Sequence, residues 1–121
     1  MILVDTSVWI DHLRLGNTKL TQLLELARVA VHPFVIGELA LGNLRQRDVI
    51  IRTMHDLPQT NVATDFELQH FIDEAAIFGR GIGYVDAYLL ASMRLTPGTF
   101  LWTRDKRLHV VADQLGLVMA D

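Results

Sequence analysis

Four acidic side chains stand where a carboxylate could do chemistry: Asp5, Glu38, Asp86 and Asp105. Asp5 and Asp105 each follow an apolar run and precede a predicted helix, which places both at the carboxyl edge of a parallel sheet, where such sheets bind ligands. Glu38 has apolar neighbours three and four positions away on its helix, so we expect it to point inward. Asp86 lies in the first turn of another amphipathic helix, and we expect it to be partly buried.

Several carboxylates in one partly buried place need compensation. An unpaired carboxylate taken out of water costs several kcal/mol, or it takes up a proton. The predicted helical faces that carry these acids offer no lysine as a partner. A hard divalent cation with oxygen ligands would compensate the acids, so the sequence predicts a Mg²⁺ or Mn²⁺ site.

Each acid also has a purely structural explanation. Asp5 and Asp105 can cap the helices that follow them, and Asp86 can be an ordinary first-turn acid. Glu38 can be a half-exposed helix residue. Helix ends explain three of the four acids but not an inward Glu38, so their joint placement favours one shared site.

The elements that position these acids alternate between strands and helices. The predicted strands are 1–4, 28–31, 60–63, 99–102 and 117–119. We expect Thr6-Ser7 to start the first intervening helix, and Thr18 and Asp65 to cap two of the later ones. This alternation predicts an α/β fold, a three-layer α/β/α sandwich with a central parallel sheet of four to five short strands.

Composition limits the remaining possibilities. The chain has 121 residues, half of them hydrophobic, which is enough for one globular domain over 1–121. It has no cysteine, no secretory n-region and no apolar run of membrane-spanning length, so we expect a cytoplasmic protein without a membrane partner. A net charge of −3 argues against a protein that neutralises phosphates over its whole surface.

Four segments together resemble a known family. They are residues 4–11 (VDTSVWID), 36–42 (IGELALG), 83–91 (GYVDAYLLA) and 101–108 (LWTRDKRL). In this order and in a chain of this size, they resemble the PIN-domain family of metal-dependent ribonucleases, in particular the VapC-type toxins of bacterial VapBC toxin–antitoxin pairs.

The resemblance implies a single PIN domain, a homodimer and a Mg²⁺- or Mn²⁺-dependent ribonuclease whose RNA cleavage is blocked by a cognate VapB-type antitoxin. It assigns metal binding to Asp5 and Asp86, with Glu38 and Asp105 as the other catalytic acids. Three hydroxyl side chains match supporting positions near that site: Thr6, Ser7 and Thr103.

Positive charge near the acids would contact the RNA backbone. The candidates are Arg80, Arg104, Lys106 and Arg107, although each can equally be part of an ordinary solvated charge run. Arg14, Arg45, Arg47 and Arg52 are less informative. The five histidines have no metal-ligand spacing. For the antitoxin, electrostatic complementarity favours a segment that brings a basic side chain to the acidic cleft.

Two other functions compete with this prediction. A phosphoacceptor receiver-like domain also places aspartates at strand ends around Mg²⁺, but it requires an acidic pair at the first strand end and a lysine at a late one. This chain has Asp5-Thr6 and Thr103-Arg104-Asp105 at those places. A catalytically inactive PIN-like scaffold that only binds a partner is the second alternative, and retention of all four acids argues against it.

Overall fold

The structure is a computed structural model that describes residues 1–120, so only Asp121 of the predicted domain lies outside it. Within these residues the chain forms three strands and seven helices. In chain order they are β1 (Ile2–Val4), α1 (Thr6–Leu15), α2 (Thr18–Glu25), β2 (Val29–Ala30), α3 (Pro33–Leu41), α4 (Arg47–Asp56), α5 (Asp65–Glu74), α6 (Tyr84–Arg94), β3 (Phe100–Trp102) and α7 (Lys106–Gln114). None of the helices in this range has the length and apolar character needed to cross a bilayer.

Strand β1 is the centre of the sheet. The strand order is β2-β1-β3 and both pairings are parallel, with Leu3 opposite Ala30 on one side and Leu101 on the other. Leu3 and Val4 are both 0% exposed although successive strand residues point to opposite faces, so both faces of the sheet are covered. The predicted α/β fold with a central parallel sheet is confirmed.

The predicted number of strands is wrong, because the described chain has three rather than four to five. Segment 60–63 is preceded by a single parallel bridge, Val31 to Gln59, next to β2, and the N–H of Thr60 donates to the carbonyl of Val31 at 3.0 Å. Its next backbone donors turn away from the sheet: the N–H of Asn61 donates to Thr96 Oγ1 and the N–H of Ala63 donates to Ser92 Oγ. Side chains on α6 and just after it thus accept the backbone hydrogen bonds that a neighbouring strand would accept if 60–63 were part of the sheet.

Segment 117–119 is the second predicted strand that does not form. It makes one parallel bridge, Leu101 to Val118, through hydrogen bonds of 2.7 and 2.9 Å on either side of Leu101. The segment therefore extends the edge of β3 at one point only.

Two predicted helix caps, Thr18 and Asp65, lie one residue too late because each is the first residue of its helix, while Thr6 starts α1 as predicted. The capping oxygens belong to the residues just before them: Asp5 for α1, Asn17 for α2 and Thr64 for α5, the last in a reciprocal capping box with Glu67. A capping residue precedes the first helical residue. In polar pairs such as Asn17-Thr18 and Thr64-Asp65, either residue could cap the helix, so the sequence alone does not identify the cap.

His32 joins the two helices that carry Glu38 and Asp86. It is 0% exposed and caps α3, with Nδ1 accepting a hydrogen bond from the N–H of Phe34. Because Nδ1 accepts, the neutral ring carries its proton on Nε2, which donates to Ser92 Oγ on α6 at 2.9 Å. Burial lowers the pKa of His32 to about 4, which keeps the ring neutral at physiological pH.

We predict that His32→Ala lowers the free energy of unfolding by about 2–4 kcal/mol. Loss of a helix cap accounts for about 0.5–2 kcal/mol, and a buried hydroxyl without its partner for about 1–3 kcal/mol. Urea denaturation measures the change, and His55→Ala, at an exposed position of α4, is the matched control. Equal losses in the two variants would contradict a structural role for His32.

Candidate active site

Asp5 lies at the carboxyl end of β1 and is 6% exposed. Its Oδ1 accepts a hydrogen bond from the N–H of Thr6 at 2.8 Å, so the capping explanation for Asp5 is correct as a description of local structure. Its Oδ2 accepts from Thr103 Oγ1 at 2.7 Å and from Ser7 Oγ at 3.2 Å. The carboxylate is therefore a helix cap and, at the same time, the meeting point of two hydroxyl groups.

Thr103 connects the ends of β1 and β3. Its buried hydroxyl donates to Asp5 and accepts a hydrogen bond from the backbone N–H of Asp105 at 3.1 Å. Asp105 is exposed and caps α7, with Oδ1 accepting from the N–H of Leu108 at 3.0 Å. Asp5 and Asp105 thus lie at the same edge of the sheet, as expected from their positions after strands.

Glu38 is exposed, so the expectation that it points inward is wrong. The prediction took the apolar residues around it for a buried face, but one of them, Leu41, is 91% exposed. The core contacts a different face of α3. Glu38 is nevertheless joined to the start of α1, because Thr6 Oγ1 donates to its Oε1 at 2.6 Å.

Asp86 is half-buried in the first turn of α6, as predicted. Burial is the largest cause that raises its pKa, from an ordinary 3.8 to about 6, and the negative charges of Asp5 and Asp105 raise it further. Glu38 adds a smaller increase, while a backbone hydrogen bond at Gly83 lowers the pKa. All three other acids act on Asp86, so the four carboxylates share one electrostatic environment.

The acids do not form a complete protein cage for a metal. Within residues 1–120, no group of three or more His, Cys, Asp or Glu side chains is arranged to hold an ion by itself. Mg²⁺ keeps several water ligands and commonly uses only one or two carboxylates. Asp5 and Asp86 fit that requirement as a pair of hard oxygen donors, and their mutual repulsion would be relieved by a cation.

The predicted basic contacts fall into two groups. Arg80 donates to Gln114 Oε1 at 2.7 Å, and the guanidinium of Arg107 lies over Gly81, where a Cβ atom would come within 2.9 Å of Nη1. Both arginines therefore attach the glycine loop to α7.

Arg104 and Lys106 flank Asp105 instead. They line a surface depression of about 390 Å³ together with Thr103 and His109. Arg104 Nε also forms an ion pair with Asp11 Oδ2 at 2.8 Å, a partner that was not predicted. The backbone N–H of Arg104 also donates to Ser7 Oγ at 3.3 Å, and Asp11 lies one turn after Ser7 on the same face of α1. The pair joins segments that are distant in the chain, so spacing along the sequence does not signal it. An RNA-binding role for Arg80, Arg104, Lys106 and Arg107 stays a prediction.

Known proteins resemble this chain over its whole length. Residues 2–114 match the PIN domain family. Two curated relatives, both named Ribonuclease VapC32 and both from Mycobacterium tuberculosis (strains CDC 1551 / Oshkosh and ATCC 25618 / H37Rv), are each 46% identical over 121 residues, covering 100% of this chain and 98% of the relative. The match favours the PIN-domain prediction over the receiver-like alternative.

The raised pKa of Asp86 predicts a specific dependence of stability on pH. The folded protein binds a proton at Asp86 between about pH 4 and 6 where the unfolded chain does not, so this group's contribution to stability falls as pH rises through 6. Without divalent ions, Asp86→Asn should therefore raise the melting temperature at pH 7.5 by roughly 2–6 °C. The gain should shrink at pH 5, where Asp86 is already mostly protonated.

Thermal unfolding in EDTA at the two pH values measures this difference. The matched control is Asp73→Asn, which removes a charge from an exposed position on α5. An equal gain at both pH values, or a gain no larger than that of the control, would contradict a shared electrostatic environment.

Proposed function

This chain belongs to the PIN-domain family, and we propose that it is a metal-dependent endoribonuclease acting as the toxin of a type II toxin–antitoxin pair. The relatives that share 46% of its residues are named as VapC ribonucleases. One observation carries the catalytic part of the proposal: Thr6 hydrogen-bonds to both Asp5 and Glu38, and Thr103 hydrogen-bonds to both Asp5 and Asp105, so three acids from separate parts of the chain meet at one edge of the sheet. The same three acids raise the pKa of Asp86. Such a concentration of negative charge is typical of a site that binds a cation.

Asp5 and Asp86 are the proposed ligands of Mg²⁺ or Mn²⁺. When bound, the ion would lower the pKa of a water molecule and neutralise charge on the RNA phosphate during in-line displacement. A carboxylate offers about four lone-pair sites, and Asp5 uses three of them for the hydrogen bonds from Thr6, Ser7 and Thr103. These bonds fix the carboxylate in one orientation and leave an acceptor position for the ion.

Glu38 and Asp105 are the proposed groups that orient or deprotonate the attacking water. Both are exposed, so water reaches them directly. The hydrogen bonds from Thr6 to Glu38 and from Leu108 to Asp105 restrain the two carboxylates. A general base needs this kind of positioning within hydrogen-bond reach of the water.

The scissile strand would lie against the depression beside Asp105. Arg104 and Lys106 supply positive charge there, next to an otherwise acidic site. Arg80 and Arg107 would reach the RNA backbone from the glycine loop and the first turn of α7. Contacts of this kind position the RNA without reading its sequence.

A VapB-type antitoxin is the proposed inhibitory partner, with a basic side chain that approaches the four acids. We also infer a homodimer of single PIN domains, 1–121, acting in the cytoplasm. A groove between α5 and α6 supports the dimer, because it combines the exposed Phe66 with charges of both signs, Glu67 and Arg94. Two copies related by a two-fold axis would pair these charges with each other.

We predict that Asp5→Asn lowers RNA cleavage in Mg²⁺ or Mn²⁺ by at least about 100-fold, since even outer partners of metal ligands cost roughly 10–100-fold when they are lost. Growth inhibition on expression should disappear with it. Cleavage of total RNA measures the first effect and colony growth the second. Circular dichroism establishes that the variant is folded.

Asp73→Asn, on the exposed surface of α5, is the matched control and should keep full activity. Unchanged cleavage by folded Asp5→Asn protein would exclude Asp5 as a metal ligand. Transfer of phosphate to the protein from a small phosphodonor, without RNA cleavage, would support the receiver-like alternative instead.

The antitoxin proposal makes its own prediction. Purified antitoxin should inhibit cleavage stoichiometrically at low salt, and inhibition should weaken as salt screens a basic side chain from the acids. Titration of the antitoxin into the cleavage reaction at two salt concentrations measures both effects. A stable complex that cleaves RNA at the full rate would contradict docking at the acidic cleft.

A further inference from the structure

A second charged pocket lies apart from the four acids, between the last turn of α1 and the connection from α3 to α4. Its volume is about 360 Å³. The lining residues are Leu13, Arg14, Asn43, Leu44, Arg45 and Ile50. A pocket of this size is within the range of small-ligand sites, about 300–1,000 Å³.

The lining combines two kinds of chemistry. Arg14 and Arg45 are exposed, and neither forms an ion pair with a carboxylate among residues 1–120. Leu13, Leu44 and Ile50 are half-buried and give the pocket an apolar floor. Asn43 adds an amide that can donate and accept hydrogen bonds. A nucleotide suits this lining: the two cations can bind phosphate, the apolar floor can contact the face of the base, and the amide can hydrogen-bond to the edge of the base.

One face of α1 connects this pocket to the candidate active site. Ser7, Asp11 and Arg14 follow the spacing i, i+4, i+7, which places them on the same face of the helix. Ser7 donates to Asp5, Asp11 pairs with Arg104, and Arg14 lines the pocket. At 1.5 Å per residue, Arg14 lies about 13 Å along the helix from Asp5.

We propose that this pocket binds one unpaired nucleotide of the RNA substrate, roughly four nucleotides from the scissile phosphate at 3.4 Å per stacked nucleotide. This inference rests on the proposed function. The base of this nucleotide lies on the apolar floor of Leu13, Leu44 and Ile50. Arg14 and Arg45 bind the phosphates of the nucleotide. Asn43 forms hydrogen bonds with the edge of the base. An acidic peptide with apolar side chains would also suit the two arginines and the floor, but it would leave the alignment with Asp5 along α1 unexplained.

The test compares a structured RNA that contains a mapped cleavage site with a trinucleotide that spans only that site. For the structured RNA, Arg14→Gln together with Arg45→Gln should raise KM roughly tenfold or more with little change in kcat. The slope of log Kd against log salt should become shallower by about 1.4, because two single-strand phosphate contacts are lost at about 0.7 each. Cleavage of the trinucleotide, which cannot reach the pocket, should not change.

Two further variants sharpen the comparison. Arg28→Gln is the control for the loss of positive charge away from the pocket. Arg28 directly precedes β2, and its carbonyl accepts from the N–H of Ile2 at 2.7 Å, at the end of the sheet opposite Asp5. The KM and salt slope of this variant should match those of the wild type. Asn43→Ala should relax the base preference at one position upstream or downstream of the cut, as determined by sequencing of the cleavage ends.

The outcomes separate this inference from the proposed function. If the wild type cleaves RNA and the double variant has the KM and salt slope of Arg28→Gln, the pocket does not bind RNA and the proposed function stands. If the double variant keeps its affinity for RNA but loses binding of the purified antitoxin, the pocket belongs to a protein partner and the inference is wrong. If the wild type neither binds nor cleaves RNA, both proposals fail together.

Discussion

The hydrogen bond from Thr103 Oγ1 to Asp5 Oδ2, 2.7 Å long and buried, is the interaction on which the rest of the site depends. It joins the carboxyl ends of β1 and β3, and the same hydroxyl accepts from the N–H of Asp105. Asp5 in turn caps α1 and Asp105 caps α7, so the hydroxyl of Thr103 links the starting points of two helices at the sheet edge. Since a buried carboxylate without donors is costly, the sheet edge and its hydroxyl groups stabilise each other.

The same edge collects negative charge, and within residues 1–120 none of the four acids forms an ion pair. Arg104, next to Asp105 in the chain, pairs with Asp11 on α1 instead. Asp86 therefore carries a raised pKa in a partly buried position, which is unfavourable for the folded state at neutral pH. A ligand that binds only the folded protein would offset this cost, and a divalent cation has the right charge and donor preference. Such unfavourable groups are characteristic of sites where function limits stability.

The sequence was sufficient to predict features that depend on local order along the chain. An apolar strand followed by an acid and a helix placed Asp5 and Asp105 at one sheet edge, and a first-turn position made Asp86 half-buried. Features that depend on distant partners were mispredicted. Segment 60–63 has the composition of a strand, yet its donors bond to Ser92 and Thr96, far away in sequence. Glu38 has apolar neighbours, but no core covers that face of α3, so it is exposed.

The pocket of Arg14 and Arg45 also depends on partners that are distant in sequence, since one arginine lies on α1 and the other in the connection from α3 to α4. They bear on how a nuclease of this type could be selective. Carboxylates with a bound metal ion would act on a phosphodiester, which is the same at every nucleotide, so the acids by themselves would confer no preference for sequence. Discrimination must come from groups that contact bases or the shape of the RNA. The face of α1 from Ser7 to Arg14 belongs to one continuous helix, starts beside Asp5 and carries the contacts to Asp5 and Arg104. A recognition pocket at its far end would set the distance between the base that is read and the bond that is cut.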